Sequence, residues 1–270
     1  MRKLQERRVL KGWYLGVSPG LTGHDLGSVW LRTEESEKAG VIEDLLSATE
    51  VERVCSYFGP KLSFLFYIEK KADPATATKR LKASIRSNVI LFREGVVSIP
   101  PYDIGPTDLS IIGILQEDPW KPYPNVAEEV RVSTKTLARR VARLSENGAI
   151  YMLPDIDLKA LQGVIPVELV VEYESQRVKA SANRLLATHI EQELIFSDTS
   201  GPVGYFALVV PNLSQMEHLT SWASRQEGVK DARVDALQDV VLNRNHYEEW
   251  RIPDGLPRMT PPTPTSTANS

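Results

Sequence analysis

Cysteine is nearly missing from this sequence. Cys55 is the one thiol in 270 residues, which excludes an internal disulfide and a cysteine-rich metal site. It lies in an apolar-rich run and reads as a small packing residue. Histidine is scarce as well: His24, His189, His218 and His246 are scattered with no metal-ligand spacing, and no metal is expected. No apolar run reaches the roughly 18 residues of a membrane span, and Met1–Arg8 leads into no signal-peptide core, so no membrane partner is expected. No glycine-rich phosphate loop, nucleophile motif or carboxylate pair stands out, so neither a cofactor nor enzyme chemistry is expected. A large charge of one sign is missing too. At a net −3, any affinity for a polyanion must come from a local patch.

What is present suffices for about two domains, with 42% hydrophobic and 25% charged residues. The most patterned stretch is Val132–Leu144. Leu137, Val141 and Leu144 recur at helical spacing, Ser133 precedes them as an N-cap, and Gly148 follows as a stop. The opposite face carries Lys135, Arg139, Arg140 and Arg143 with no acid among them. Ahead of it, Thr107 caps an expected helix from Asp108 to about Gln116, with Ile111, Ile112 and Leu115 inward and Asp108 near its positive end. After Asp118–Pro122 a short helix spans about Asn125–Val130. Only Arg131 and Val132 separate it from the Ser133 cap, which forces a steep crossing. That is the order of a helix-turn-helix with Ser133–Arg143 as the reading helix.

These residues resemble a known family. Asp108, Ile111–Ile112, Leu115–Gln116, Asp118, Val126–Ala127, Val132–Ser133, Leu137, Arg139–Val141, Arg143–Leu144 and Gly148–Ile150 are similar to the DNA-binding half of Lrp/AsnC transcriptional regulators, especially archaeal ones. Arg131 departs from it, standing where the family usually has a turn glycine; a left-handed conformation there would strain arginine.

The chain also repeats. At a displacement of 140 residues Leu4 meets Leu144, Leu10 meets Ile150, Leu21 meets Leu161, Gly23 meets Gly163, and Leu45–Leu46 meets Leu185–Leu186. At 142, Gly59–Pro60 meets Gly201–Pro202 and Phe64 meets Phe206. Each copy reads β-α-β-β-α-β, a ferredoxin-like order. This resembles the effector and oligomerisation domain of the same family.

The expected fold class is therefore α+β, with a winged or helix-turn-helix three-helix domain between two ferredoxin-like βαββαβ domains. The expected divisions are 1–20, a remnant of a first helix-turn-helix; 21–93, the first ferredoxin-like domain; 94–106, a linker; 107–154, the DNA-binding domain; 155–252, the second ferredoxin-like domain; and 253–270, a disordered tail rich in Pro, Thr and Ser.

Double-stranded DNA is the expected partner. Thr134, Lys135 and Thr136, with Ser133, are expected to reach base edges, while Arg139, Arg140 and Arg143 hold phosphates or a guanine edge. Arg143 is the weakest of the set, because late positions turn back toward the protein. The resemblance implies a small-molecule effector near a glycine-containing turn, here Ser200, Gly201, Gly204 and Tyr205. Gly204 and Leu62 replace the acid that would hold an amino-acid ammonium group. It also implies a homo-oligomer, and a cytoplasmic, nucleoid-associated location. Two other functions share this plan. Siroheme decarboxylases resemble it, although Ile150–Asp155 lacks the basic residues suited to a tetrapyrrole with several carboxylates. A ligand-sensing or assembly protein that ignores DNA is the other.

Overall fold

The computed structural model describes residues 9–99, 102–190, 196–197 and 201–249. The expected helix-turn-helix remnant before Val9, Ser200 and the tail from 253 lie outside the described residues.

The first unit runs β2 (His24–Arg32), α1 (Lys38–Leu46), β3 (Val51–Tyr57), β4 (Lys61–Glu69), α2 (Pro74–Ser84) and β5 (Ile90–Val97). The second runs β7 (Ile165–Tyr173), α6 (Gln176–Ile190), β8 (Phe196–Ser197), β9 (Val203–Val210), α7 (Leu213–Ala223) and β10 (Val229–Leu242). The strand orders β5-β2-β4-β3 and β10-β7-β9-β8 are the same arrangement. Alternation of side chains sets the two faces. Leu62, Phe64, Phe66 and Ile68 of β4 turn toward the helices with Val41, Leu45 and Leu81; Leu169, Val171 and Tyr173 of β7 do so with Ala182 and Leu186.

The two sheets are one. β10 pairs with β7 through Ala236 and then with β3 from Leu237 to Leu242, so a single 14-residue strand joins eight strands. The faces away from the helices also meet. Trp30 of β2 stacks on Tyr205 of β9 at 4.5 Å and 11°, with Val170 and Val203 packed alongside. Around them Tyr57 donates to Glu168 at 2.7 Å, Lys61 pairs with Asp235, and Arg93 stands 3.9 Å from Glu172. Enclosure between the sheets pushes the Glu168 carboxyl up and the Lys61 ammonium down from their ordinary ranges.

Two expected boundaries shift. β5 extends through Val97, so Glu94–Val97 belongs to the sheet rather than to a linker. Residues assigned to the remnant form β1 (Leu10–Val17), which pairs antiparallel with β6 (Ile150–Ile156). These two strands begin at the repeat-related Leu10 and Ile150. Gly16 permits their close crossing: a Cβ there would lie 2.3 Å from the Tyr151 ring. Cys55 packs on β3, where burial pushes its thiol up to about 11, as suits an inert side chain.

The chain finally returns to the first unit. Asn243 donates from Nδ2 to Ala48 and Val51 carbonyls at 3.0 and 2.9 Å, and α8 (Arg244–Glu249) places His246 beneath Thr49 and Tyr67. His246 donates from Nδ1 to the Thr49 carbonyl at 2.7 Å and is 1% exposed. Burial holds its imidazole below the ordinary value, with Glu52 and Glu50 opposing in part. A base with a lowered folded pKa favours folding while neutral. Stability is therefore fully present above the unfolded value near 6.5 and falls as pH drops through the window below it. Urea unfolding at pH 8 and pH 5.5 should show this loss, and His246→Asn should flatten it; equal pH dependence in the variant would remove His246 as the cause.

Candidate nucleic-acid interface

Three helices follow the first unit: α3 (Pro106–Glu117), α4 (Tyr123–Glu129) and α5 (Thr134–Glu146). α3 begins one residue before the expected Thr107 cap. Gly105 is the N-cap and Pro106, lacking an N–H, opens the helix. Asp108 thereby becomes the third helical residue, and its carboxylate accepts from the Gly105 N–H at 3.3 Å. Ile111, Ile112, Leu115, Val126, Leu137 and Leu144 form the core, which continues into Leu15 and Val17 of β1 and Ile150 of β6.

The turn between α4 and α5 closes on Arg131, which holds φ 54, the one left-handed residue other than glycine among the described residues. Its N–H bonds the Glu128 carbonyl at 3.1 Å and the Val132 N–H bonds that of Ala127 at 2.9 Å, the paired bonds of a Schellman end. The crossing geometry is thus kept at the cost of strain on Arg131. Ser133 caps α5 by accepting from the Thr136 N–H at 3.2 Å, and the two hydroxyls bond each other at 2.9 Å. Gly148, at φ 70, stops the helix.

The arginines divide. Arg140 donates to Asp108 Oδ1 at 2.9 Å and Arg143 to Oδ2 at 2.7 Å, and that carboxylate is 1% exposed. Both were expected on a phosphate or a guanine edge; here α3 offers a buried anion, and each guanidinium gives it a donor. Lys135, Arg139 and Arg143 are exposed at successive intervals of four residues, with Ala138 and Ala142 beside them. Ser133 and Thr134 are exposed at the same end, and Thr136 is half-buried. The outward surface is a three-cation stripe with alanines beside it and a capped helix N-terminus at its head.

Residues 106–145 match the AsnC-type helix-turn-helix domain. Comparison with curated protein sequences gives no match. Among solved structures, the chain is similar to the siroheme decarboxylase NirDL, crystallised alone (TM-score 0.56) and in complex with an iron-uroporphyrin III analogue (TM-score 0.55). Both comparisons give 13% identity over 92% of this chain and 84% of that one, a likeness of fold. AsnC of E. coli aligns with 51% of this chain and 94% of its own at 17% identity and a TM-score of 0.38. The AsnC-type domain here thus sits on a mixed α+β body of antiparallel sheet.

Of the expected effector turn, Gly201, Gly204 and Tyr205 are among the described residues. Tyr205 stacks on Trp30, and a Cβ on Gly204 would meet Asn183 Oδ1 at 2.6 Å. The Gly201 carbonyl accepts from the buried Lys179 ammonium at 3.0 Å. These residues hold the second unit together and join it to the first. His218 is exposed, and among the described residues no group of three metal-ligating side chains converges and no helix is long and apolar enough to cross a membrane.

Sequence reasoning missed the second role of Asp108. An acid at the third position of a helix is sufficiently explained by the helix dipole, and its contact with residues 32 and 35 positions later is tertiary. A signal existed in the two adjacent cations of α5 that flank its buried edge.

Proposed function

We propose that this chain is a sequence-specific DNA-binding transcriptional regulator without catalytic activity. The observation that carries it is the outward stripe of α5, where Lys135, Arg139 and Arg143 are exposed beside Ala138 and Ala142. Small residues let a helix approach the groove floor while the cations reach phosphate or a guanine edge. Ser133, Thr134 and Thr136 lie at the end that enters the major groove. Arg140 and Arg143 place α5 through Asp108, and the exposed Arg143 also remains within the cationic stripe. One complete helix-turn-helix lies in the described chain, so a palindromic operator would require two chains, and the protein acts as a homo-oligomer there.

The test is anisotropy against the DNA upstream of its own coding region over a salt series. Arg139→Ala is expected to weaken binding about tenfold and to lower the salt slope by about one unit, since one phosphate contact is lost. No binding at low salt by folded protein would overturn the proposal.

A tetrapyrrole enzyme is the second reading, supported by the shared fold over most of the chain. A Soret band shift on adding iron-uroporphyrin would favour it.

A further inference from the structure

Arg131 apart, the described residues with positive φ are all glycines: Gly23, Gly59, Gly148, Gly163 and Gly228. Glycine takes that conformation freely, whereas an arginine at φ 54 is strained by its Cβ. The turn itself does not call for an arginine. Its bonds run from the Arg131 N–H to the Glu128 carbonyl and from the Val132 N–H to that of Ala127, and a glycine would make both. Nor does the side chain make a compensating contact. It is exposed, and no hydrogen bond or ion pair holds it among the described residues. Glu129, two residues earlier, is taken by the Lys121 ammonium at 2.6 Å. The position is unfavourable for a second reason. Arg131 stands two residues before Ser133, the N-cap of α5, and the first turn of that helix carries no acid. A helix N-terminus is the positive end of its dipole, so an unpaired cation beside it is disfavoured. Strain and charge thus coincide on one exposed residue, and an external anion is what would offset both.

We propose that Arg131 contacts a backbone phosphate of double-stranded DNA, at the lip of the groove that α5 enters. The inference rests on the DNA-binding reading and adds a residue to it. In a helix-turn-helix the first helix crosses the DNA backbone and the second enters the major groove, so the turn between them passes the phosphates at the groove edge. A guanidinium suits that place. Its planar fork gives a phosphate two hydrogen bonds, and it is less strongly hydrated than an ammonium. A contact of this kind fixes the protein on any sequence and reads none, unlike those of Ser133, Thr134 and Thr136.

The test is anisotropy of the full chain on the DNA upstream of its own coding region and on an unrelated duplex, each over a salt series. Arg131→Gly and Arg131→Asn both remove the charge and place a residue type that accepts the left-handed turn. Each is expected to weaken binding severalfold on both duplexes, to leave the ratio between them unchanged, and to lower the salt slope by about 0.9. Both should keep the wild-type urea midpoint or exceed it, so that lost affinity is not lost fold. Variants that match the wild type in affinity and slope would overturn this proposal alone. So would weaker binding with an unchanged slope, the mark of a displaced α5, or a changed ratio, the mark of base reading. Absence of binding by the folded wild type at low salt would overturn the DNA-binding reading, and the role of Arg131 with it.

Discussion

Asp108→Asn is expected to lower the unfolding free energy by about 2–3 kcal/mol, among the larger losses available from one polar atom in this chain. The carboxylate is 1% exposed and accepts from two guanidinium groups on another helix. An asparagine keeps the size but offers one acceptor and no charge, so two arginines would face a neutral group in a largely dry place. Removing one partner of a fully buried pair costs about 3–5 kcal/mol, and the figure here is reduced because the arginine side chains remain 32% and 51% exposed. Arg140 Nε is buried without a partner among the described residues, and Asp108 anchors the guanidinium through Nη1. Urea unfolding measures the loss. A double-mutant cycle with Arg143→Ala should show coupling above about 1 kcal/mol, and additivity would mean that the bridge contributes nothing. DNA affinity should fall in Asp108→Asn although the residue touches no DNA, because the carboxylate positions α5.

Much of this was legible in the sequence where patterning is local. Leu137, Val141 and Leu144 give α5 its inward stripe, Ser133 and Gly148 mark its ends, and Arg131 announces its strained turn, because each depends on neighbours within one or two turns. The two βαββαβ units were equally readable, since alternating apolar residues in β4 and β7 serve faces buried by their own helices. What was illegible is long-range. β1, Leu-Lys-Gly-Trp-Tyr-Leu-Gly-Val, holds the strand formers Trp13, Tyr14 and Val17 but has glycines at two of eight positions, and its partner β6 lies about 140 residues away in the chain. The same holds for Tyr205. Its place after a glycine turn suggested a ligand site, but joining of the sheets through β10 brings Trp30 over its ring.

That joining sets the other large expected effect, the unfolding of Trp30→Ala. Trp30 is 3% exposed and spans the gap between the sheets, stacked on Tyr205 at 4.5 Å. It also supports Glu168, which Tyr57 reaches from the first unit. Truncation of a buried tryptophan to alanine costs about 3–5 kcal/mol, through lost transfer energy and an unfilled cavity. Here a further consequence follows. The units are held by β3–β10 pairing, by this aromatic stack and by the ion pairs around it, and each unit has its own core behind its helices. Loss of the stack should uncouple them, so that a single urea transition in the wild type separates into two in Trp30→Ala. Trp30→Phe, which retains a ring over Tyr205, should keep one transition and lose about 1–2 kcal/mol. A single transition in Trp30→Ala with a loss below about 1 kcal/mol would show that backbone pairing through β10 alone couples the two halves. The stack and the strand thus make separable contributions, and the variant pair distinguishes them.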